Sequence, residues 1–600
     1  MNMISISRRR FLELNLKAGV ACGFLPMGIL AEAVASDSAS PDLSSFKARR
    51  QWLLETVVAN PGQYARIPFY TAQACFLAGK MDEGRSIANT ALAALPHARV
   101  RQVEMFELWP ALHCFMRWRS YIDPASETIL RDLLCHTTYY KDARTSNLST
   151  LAKVIRYLGS VAWGEEAFAP VAAYRPNDPS AEKALFAHLL HVCQDGFGEY
   201  ASWPYFKYNL MPMLSLANLA RDPEMKRRAH MAFEAGLAQC VSTWLKGVWG
   251  LATGRSYPDL LTMEPWGSVA TLWVYFGGLV TPRISAEAMM PVVMEYDLNP
   301  LLEHAATDRN QAYTARSHFW DPVQISYVNR SYVLFSEAQF IARPRNFGQS
   351  YPYGVMWLEP DVSRNNFLWL TVPANDNPPG QLNAVSVSHP HGTIAEAQAN
   401  IQHEDALLYV CDTAKANFKY ALCFVPGGWQ AIVDEAEKTN RVFIHYASVL
   451  IAVTASQSFA WDRNAGIKAA APKPKAGDSE FRIEGSRFAV ALETARPADF
   501  AGATPEERLK AFKQALDERS KLELEDKGTL KASYTARTGK TISRVFGGEA
   551  IIDGQPVDPA QWPILDSPWI KQPSHEANLS ITDGKRTRVY DFTLWRVTEG

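Results

Sequence analysis

The stretch 195-DGFGEYASWPYFKYN-209 gathers groups that can move protons, with the carboxyls Asp195 and Glu199 followed by Tyr205 and Tyr208. Pro204 suits the first position of a helix with Ser202 or Trp203 at its cap, which places Tyr205, Tyr208 and Asn209 in the first two turns. Tyr205 and Tyr208 then share a face. A second pair, Arg255 and Tyr257, stands in 253-TGRSYPDL-260, a Gly- and Pro-bounded loop between helical runs. A third element is Thr145-Ser146-Asn147, at the polar start of an apolar run, where asparagine also serves as a helix cap. A tyrosine has a reference pKa near 10, so a phenolate base needs a neighbouring cation, and Arg255 could supply it to Tyr205 or Tyr257. The chemistry of such a set is proton abstraction and return.

In order, Asp195-Gly196, Glu199, Ser202 and Tyr205 resemble the DG…E..S..Y signature of polysaccharide lyases that join an α/α toroid to a β-sandwich, the heparinase II/III-like and alginate-lyase group. The Arg255-x-Tyr257 pair is similar to the arginine and tyrosine that attend the uronate there. In that group an asparagine at a helix start, usually followed by histidine, binds the substrate carboxylate while the histidine takes a proton. Asn147 matches this pattern, and Leu148 replaces the histidine. The resemblance implies an acidic polysaccharide or oligosaccharide substrate, and its motifs are confined to about 145 to 260.

These residues suit β-elimination from a uronic acid. The C5 proton becomes acidic only when the adjacent carboxylate is neutralised, so hydrogen bonds from Asn147 and charge from Arg255 would stabilise the enolate-like transition state. One tyrosine would take the proton and the same or another would protonate the leaving oxygen, with Glu199 orienting a partner or the sugar. His318, in Arg316-Ser317-His318-Phe319-Trp320, is the substitute for the missing base. Trp203 and Trp320 are expected as stacking platforms, with Trp266 a further one unless it packs in the core, the reading favoured for it, beside Tyr208 and Asn209 as substrate contacts. The rival is a glycoside hydrolase of the toroid type with two carboxyls, roughly 6.5 to 9.5 Å apart for inversion, drawn from Glu199, Asp259, Glu264 and Asp195. A non-catalytic glycan-binding protein is the third reading.

Ser7-Arg8-Arg9-Arg10-Phe11-Leu12, the modest apolar run Ala18 to Leu30 and the small residues Ala31 to Ala35 read as a twin-arginine export signal, cleaved after Ala35 or a few residues later. The run is too short for a permanent membrane span, so a soluble periplasmic or secreted protein is expected. The eight cysteines, one of them inside the signal, show no CxxC spacing and are expected as buried thiols. With 61 basic and 62 acidic residues the net charge is -1, which argues against nucleic acid and against broad attraction to a membrane. No nucleotide loop, G-x-S-x-G or HExxH occurs, and no cofactor is implied. A structural zinc or calcium is the one metal considered, with His389, His391 and His403 as weak ligand candidates.

Positioning these groups falls to two halves of different periodicity. From about Phe46 to Ala305 apolar residues recur at helical spacing between short polar turns, which predicts αα-hairpins, about six of roughly 45 residues, closing into a toroid. After about Ser331 the pattern alternates, which predicts two packed antiparallel sheets. The exception is a helix from Thr504-Pro505-Glu506-Glu507 to about Arg519, opened by a capping box. The fold class is α+β multidomain: a signal over 1–35, a catalytic toroid over 46–320 and a β-sandwich over 331–600, with the junction at about 310 to 330.

Overall fold

The structure, a computed structural model, describes residues 41–95, 105–135, 145–169, 180–198, 201–254, 263–319, 323–339, 353–362, 364–372, 397–414, 419–462, 477–574 and 576–600. The export signal, Glu199, Arg255, Tyr257, Asp259, Trp320, His389 and His391 lie outside the described residues.

The N-terminal half is helical: α1 (Phe46–Ala59), α2 (Pro68–Leu77), α3 (Met81–Ala93), α4 (Met105–Arg117), α5 (Pro124–Cys135), α6 (Ser146–Trp163), α7 (Ala181–Asp195), α8 (Lys207–Leu219), α9 (Pro223–Val241), α10 (Ser268–Phe276), α11 (Ala286–Val293) and α12 (Pro300–Thr307). Polar caps start many of them. The side chains of Ser45, Ser180, Asp222, Ser285 and Asn299 each accept from a backbone N–H of the following turn, and Pro223 and Pro300 occupy the first helical position. Sequence neighbours pair, α2 with α3 and α8 with α9, while α1 packs on α2, α10 and α11, so the array closes on itself. Arg49 of α1 fastens the closure. It is 2% exposed and donates to the carbonyls of Val274 (2.9 Å) and Tyr275 (2.7 Å), at the end of α10 where a cation complements the helix dipole.

From Tyr313 onward the chain is antiparallel sheet, broken by α13 (Pro505–Arg519), whose Thr504–Glu507 capping box forms as its sequence requires. The stretch expected as the junction contributes two strands, Tyr313–His318 and Val323–Val328, paired with each other. These belong to a thirteen-stranded sheet whose central strands are Tyr332–Gln339, Tyr353–Trp357, Phe367–Thr371 and Tyr420–Val425. Side chains there alternate between two cores. Val333, Phe335, Met356, Phe367, Trp369 and Phe424 join the helical core, whereas Leu334, Val355, Trp357, Leu368, Leu370 and Cys423 face a six-stranded sheet. A five-stranded sheet, Lys521 to Val557, packs on the far side of that second sheet.

The C-terminal strands return to the helices. Leu565–Asp566 pairs with Tyr313–His318 and extends the large sheet through Ile570–Gln572, Asn578–Thr582, Thr587–Asp591 and Arg596–Glu599. At this seam Glu234 of α9, 3% exposed, accepts from the hydroxyls of Tyr296 (3.0 Å) and Tyr590 (2.6 Å), and Asn299 Nδ2 donates to the Tyr590 oxygen (3.0 Å). The seven described cysteines are free and buried. Burial raises their thiols, to about 11 for Cys75 and about 12 for Cys114.

Removing one partner from a buried network strands the others, so Glu234→Ala is expected to destabilise the protein by about 3 kcal/mol or more. Urea unfolding of the variant beside Tyr590→Phe, which leaves Glu234 its bond from Tyr296, should show the larger loss for Glu234→Ala.

Candidate active site

Helix α7 ends at Asp195, and Gly196 follows at φ +80°. A Cβ at Gly196 would lie 2.3 Å from the His318 carbonyl oxygen, so the approach of the two segments requires glycine on both steric and conformational grounds. Gln239 of α9 bridges them: its Nε2 donates to the His318 carbonyl (2.6 Å) and its Oε1 accepts from the Phe197 N–H (3.0 Å). His318, 8% exposed, is thereby held at the boundary of helices and sheet beside the motif that begins at Asp195. A triangle of buried rings reinforces the contact. Phe206 meets Phe319 at 6.0 Å and Trp249 at 5.1 Å, and Trp249 meets Phe319 at 6.4 Å. Each ring is one residue from Tyr205 or His318, or a few residues before Thr253, so one cluster sets three separate segments.

The expected helix start at Pro204 is corrected. Residues 203–206 form a turn and α8 begins at Lys207, leaving Tyr205 in the turn and Tyr208 and Asn209 in the helix. Bonds from the next helix capture this backbone: the Ser268 N–H donates to the Trp203 carbonyl (2.6 Å) and the Lys207 N–H donates to Ser268 Oγ (2.9 Å). Ala201, buried just upstream, takes φ +58°, a conformation costly for a residue with a side chain. Phe106 of α4 lies against both Tyr205 and Tyr208, at 6.3 Å and 4.3 Å between ring centres. Tyr205 is half-buried.

Burial, then Glu287 and Tyr205, push the Tyr208 phenol far above its ordinary value, so it stays protonated. Beside it Lys207 Nζ lies 4.8 Å from the Tyr208 ring centre and pairs with Glu287 at 2.6 Å. Burial alone would raise the Glu287 carboxyl, but the Lys207 ammonium and Ser285 pull it down to about 2.

Asn147 is the second residue of α6, with its Oδ1 accepting from Thr145 Oγ1, and is 1% exposed. One turn on, Thr150 Oγ1 lies 2.9 Å from His188 Nε2 of α7 and 3.1 Å from Asn209 Oδ1 of α8. This buried triad ties the starts of α6 and α8 to α7, and gives Asn209 a structural partner. Burial first, then Lys153 and His191, bring the His188 pKa down to about 3, so it is a neutral hydrogen-bonding ring. Trp203, expected as a stacking platform, is 1% exposed and belongs to the helical core, since the turn that presents Tyr205 folds its neighbour inward. Trp266 is half-buried against the same core. Among the candidate carboxyls of a hydrolase, Glu264 is engaged by Arg283, and Asp195 is an exposed carboxylate 2.6 Å from His191. His403 ends the strand Gln398–His403, and among the described residues no group of three metal-ligating side chains gathers.

Glu337 was not legible in the sequence. It is 8% exposed, and burial pushes its carboxyl up to about 8. It stands opposite Gln324 on the neighbouring strand, so the two side chains share a face of the sheet. Gln324 Nε2 donates to the Ala252 carbonyl (2.7 Å), which sets that face against the loop leading to Arg255. The signal that finds Glu337 is strand register.

No family model matches the chain, and no curated protein matches it. Among solved structures it is similar to the Streptomyces coelicolor A3 chondroitin AC lyase in complex with chondroitin sulphate. The identity is 9%, over 94% of this chain and 90% of that one, with a TM-score of 0.43. A tyrosine-to-alanine mutant of that lyase aligns at 9% identity over 93% and 90%, with a TM-score of 0.41. A family 81 glycoside hydrolase from Clostridium thermocellum aligns over 44% of this chain and 32% of that one, at 10% identity and a TM-score of 0.13. At these values no residue role follows from the likeness.

A carboxyl whose folded pKa is raised contributes stability that is full below its unfolded value and is lost as pH rises through the folded one. Glu337 should therefore make unfolding easier between about pH 4.5 and 8, by up to about 1.4 kcal/mol per pH unit. Denaturation of Glu337→Gln across that range should show this slope removed, and an unchanged slope would count against a buried, protonated Glu337.

Proposed function

We propose that the protein is a polysaccharide lyase that cleaves a uronic-acid-containing polysaccharide by β-elimination, with Tyr205 as the proton-transfer group. The observation that carries the reading is the juxtaposition at the helix–sheet boundary. A half-buried tyrosine sits on a turn whose entry, at Gly196, is braced by the backbone of His318, and whose Phe206 packs on Phe319. Both residue types can accept or return a proton, one from the helical half and one from the sheet; Tyr205 is the half-buried one, and His318 is 8% exposed with its Nε2 buried.

In the reaction, the C5 proton of the uronate passes to Tyr205, with His318 as the second candidate base. The C5–H electron pair becomes the C4=C5 double bond as the C4–O bond breaks, and a proton is returned to the departing oxygen. The carboxylate on C5 must be neutralised for this proton to leave, a part proposed for the charge of Arg255 and hydrogen bonds from Asn147, while Tyr257 and Glu199 complete the proton path and sugar contacts. Tyr208, held protonated, serves as a hydrogen-bond donor in this scheme and not as a base. Periplasmic or secreted location through the 1–35 signal belongs to the same proposal. Among the described residues no helix is long and apolar enough to cross a membrane.

The test is incubation with alginate, glucuronan, hyaluronan, heparan and chondroitin while ultraviolet absorbance of the new double bond and reducing ends are followed together. Both should rise on one polymer class; reducing ends alone would replace the lyase with a hydrolase. On the active polymer, Tyr205→Phe should lower kcat/KM by about 10²–10⁴-fold, whereas Tyr208→Phe should act chiefly on KM. Full activity in Tyr205→Phe would end the tyrosine mechanism.

A further inference from the structure

The ion pair beside Tyr208 is lopsided. Lys207 Nζ and Glu287 Oε1 lie 2.6 Å apart, yet the lysine side chain is 4% exposed and the glutamate side chain 22%. Solvent therefore meets the carboxylate and not the ammonium behind it. Against burial, Lys207 and Ser285 hold the Glu287 carboxyl at about 2, so at working pH it is ionised and only accepts hydrogen bonds. An ion pair that did no more than tie α8 to α11 would be served as well with both groups covered, and here the anion is left accessible.

This carboxylate stands beside the proposed chemistry. Lys207 follows Tyr205 by two residues, and burial first, then Glu287, Tyr205 and Glu107 of α4, raise the Tyr208 phenol, which puts that phenol within electrostatic reach of all three groups. Glu107 is exposed and adjoins Phe106, the ring that lies against both tyrosines. Two carboxylates and one ammonium thus surround Tyr208, and the ammonium is the covered one. A carboxylate or sulfate on the sugar next to the reacting uronate would meet like charge where part of the water has been displaced and screening is weak. A hydroxyl or amide N–H there would donate to Glu287 in a charge-assisted bond, while the protonated Tyr208 donates to the same sugar's oxygens. Discrimination between polymers then comes from the repelled group as much as from the accepted one.

We propose that Glu287 is a specificity-determining residue beside Tyr205, which accepts from the hydroxyl or amide groups of an uncharged sugar and turns away carboxylate or sulfate there. The polymer cleaved therefore carries a neutral, unsulfated sugar next to its uronic acid. This rests on the reading of the chain as a lyase with Tyr205 in its site.

The test is the full chain assayed on hyaluronan, desulfated chondroitin, chondroitin 6-sulfate, glucuronan and alginate. On hyaluronan or desulfated chondroitin kcat/KM should exceed that on each of the other three by about tenfold or more. Two substitutions break the same ion pair and separate charge from packing. Glu287→Gln should cut the preference to about threefold or less, whereas Lys207→Met, which leaves the carboxylate unbalanced, should preserve or widen it. A pair with a structural role alone would give both variants the same change. Should either variant fail to fold, calorimetry on Tyr205→Phe with hexasaccharides of hyaluronan and of glucuronan should show the first bound about tenfold more tightly. Equal rates on charged and uncharged polymers, an equal loss of preference in both variants, or equal binding of the two hexasaccharides would overturn the assignment and leave the lyase in place. Selective binding of the hyaluronan hexasaccharide with no polymer cleaved would end the lyase reading and keep the part given to Glu287, and absence of both binding and cleavage would remove both.

Discussion

The large sheet serves two cores at once, and the rest of the molecule is arranged around that demand. Its central strands are apolar on both faces, because one face must satisfy the helical array and the other the second sheet. Neither half can therefore be cut away without exposing a wall of Phe, Trp and Leu to water. The seam between them is consequently fixed: the backbone of His318 on its strand is bonded to Gln239 of a helix, and Phe206 of the turn packs on Phe319.

Fixity at that seam comes from few residue types. Gly196 allows the chains to approach, Gln239 satisfies a peptide group on each side, and the Phe206–Phe319–Trp249 triangle fills the space behind. The Thr150–His188–Asn209 triad performs a similar service between helices α6, α7 and α8, where a threonine hydroxyl has one proton for two neighbours and one neighbour must donate in return. Pairing Lys207 with Glu287 beside Tyr208 buries the ammonium while the carboxylate keeps some access to solvent, at a desolvation cost that their contact and the tyrosine ring offset.

Much of this order was legible in the sequence where it depends on local chemistry. Helical spacing up to Ala305, alternation after Ser331 and the Thr504–Glu507 capping box are short-range patterns, and the elements follow them. What depends on distant partners was not legible. Pro204 signals a helix start, yet Ser268 takes hold of the Trp203 and Lys207 peptides and delays the helix to Lys207. Trp203 has the composition of a sugar platform and the position of a core residue, a distinction made by which side of the turn faces inward. The strands between 313 and 328 are short and mixed in polarity, and only pairing with Leu565–Asp566 and Tyr332–Gln339 explains them. Glu337 carries no motif; its surroundings are set by register.

The buried cysteines bear on how this molecule ages. The seven described thiols, spread over helices and both large sheets, are hidden, and burial holds their pKa values above the ordinary thiol value, so the folded chain offers oxidants almost no thiolate from them. An unfolded copy offers all of them together. Oxidation therefore acts as a ratchet: a molecule that opens in an oxidising medium is captured as a disulfide-bonded misfold or a cross-linked aggregate, and its working lifetime is set by its rate of opening more than by its equilibrium stability.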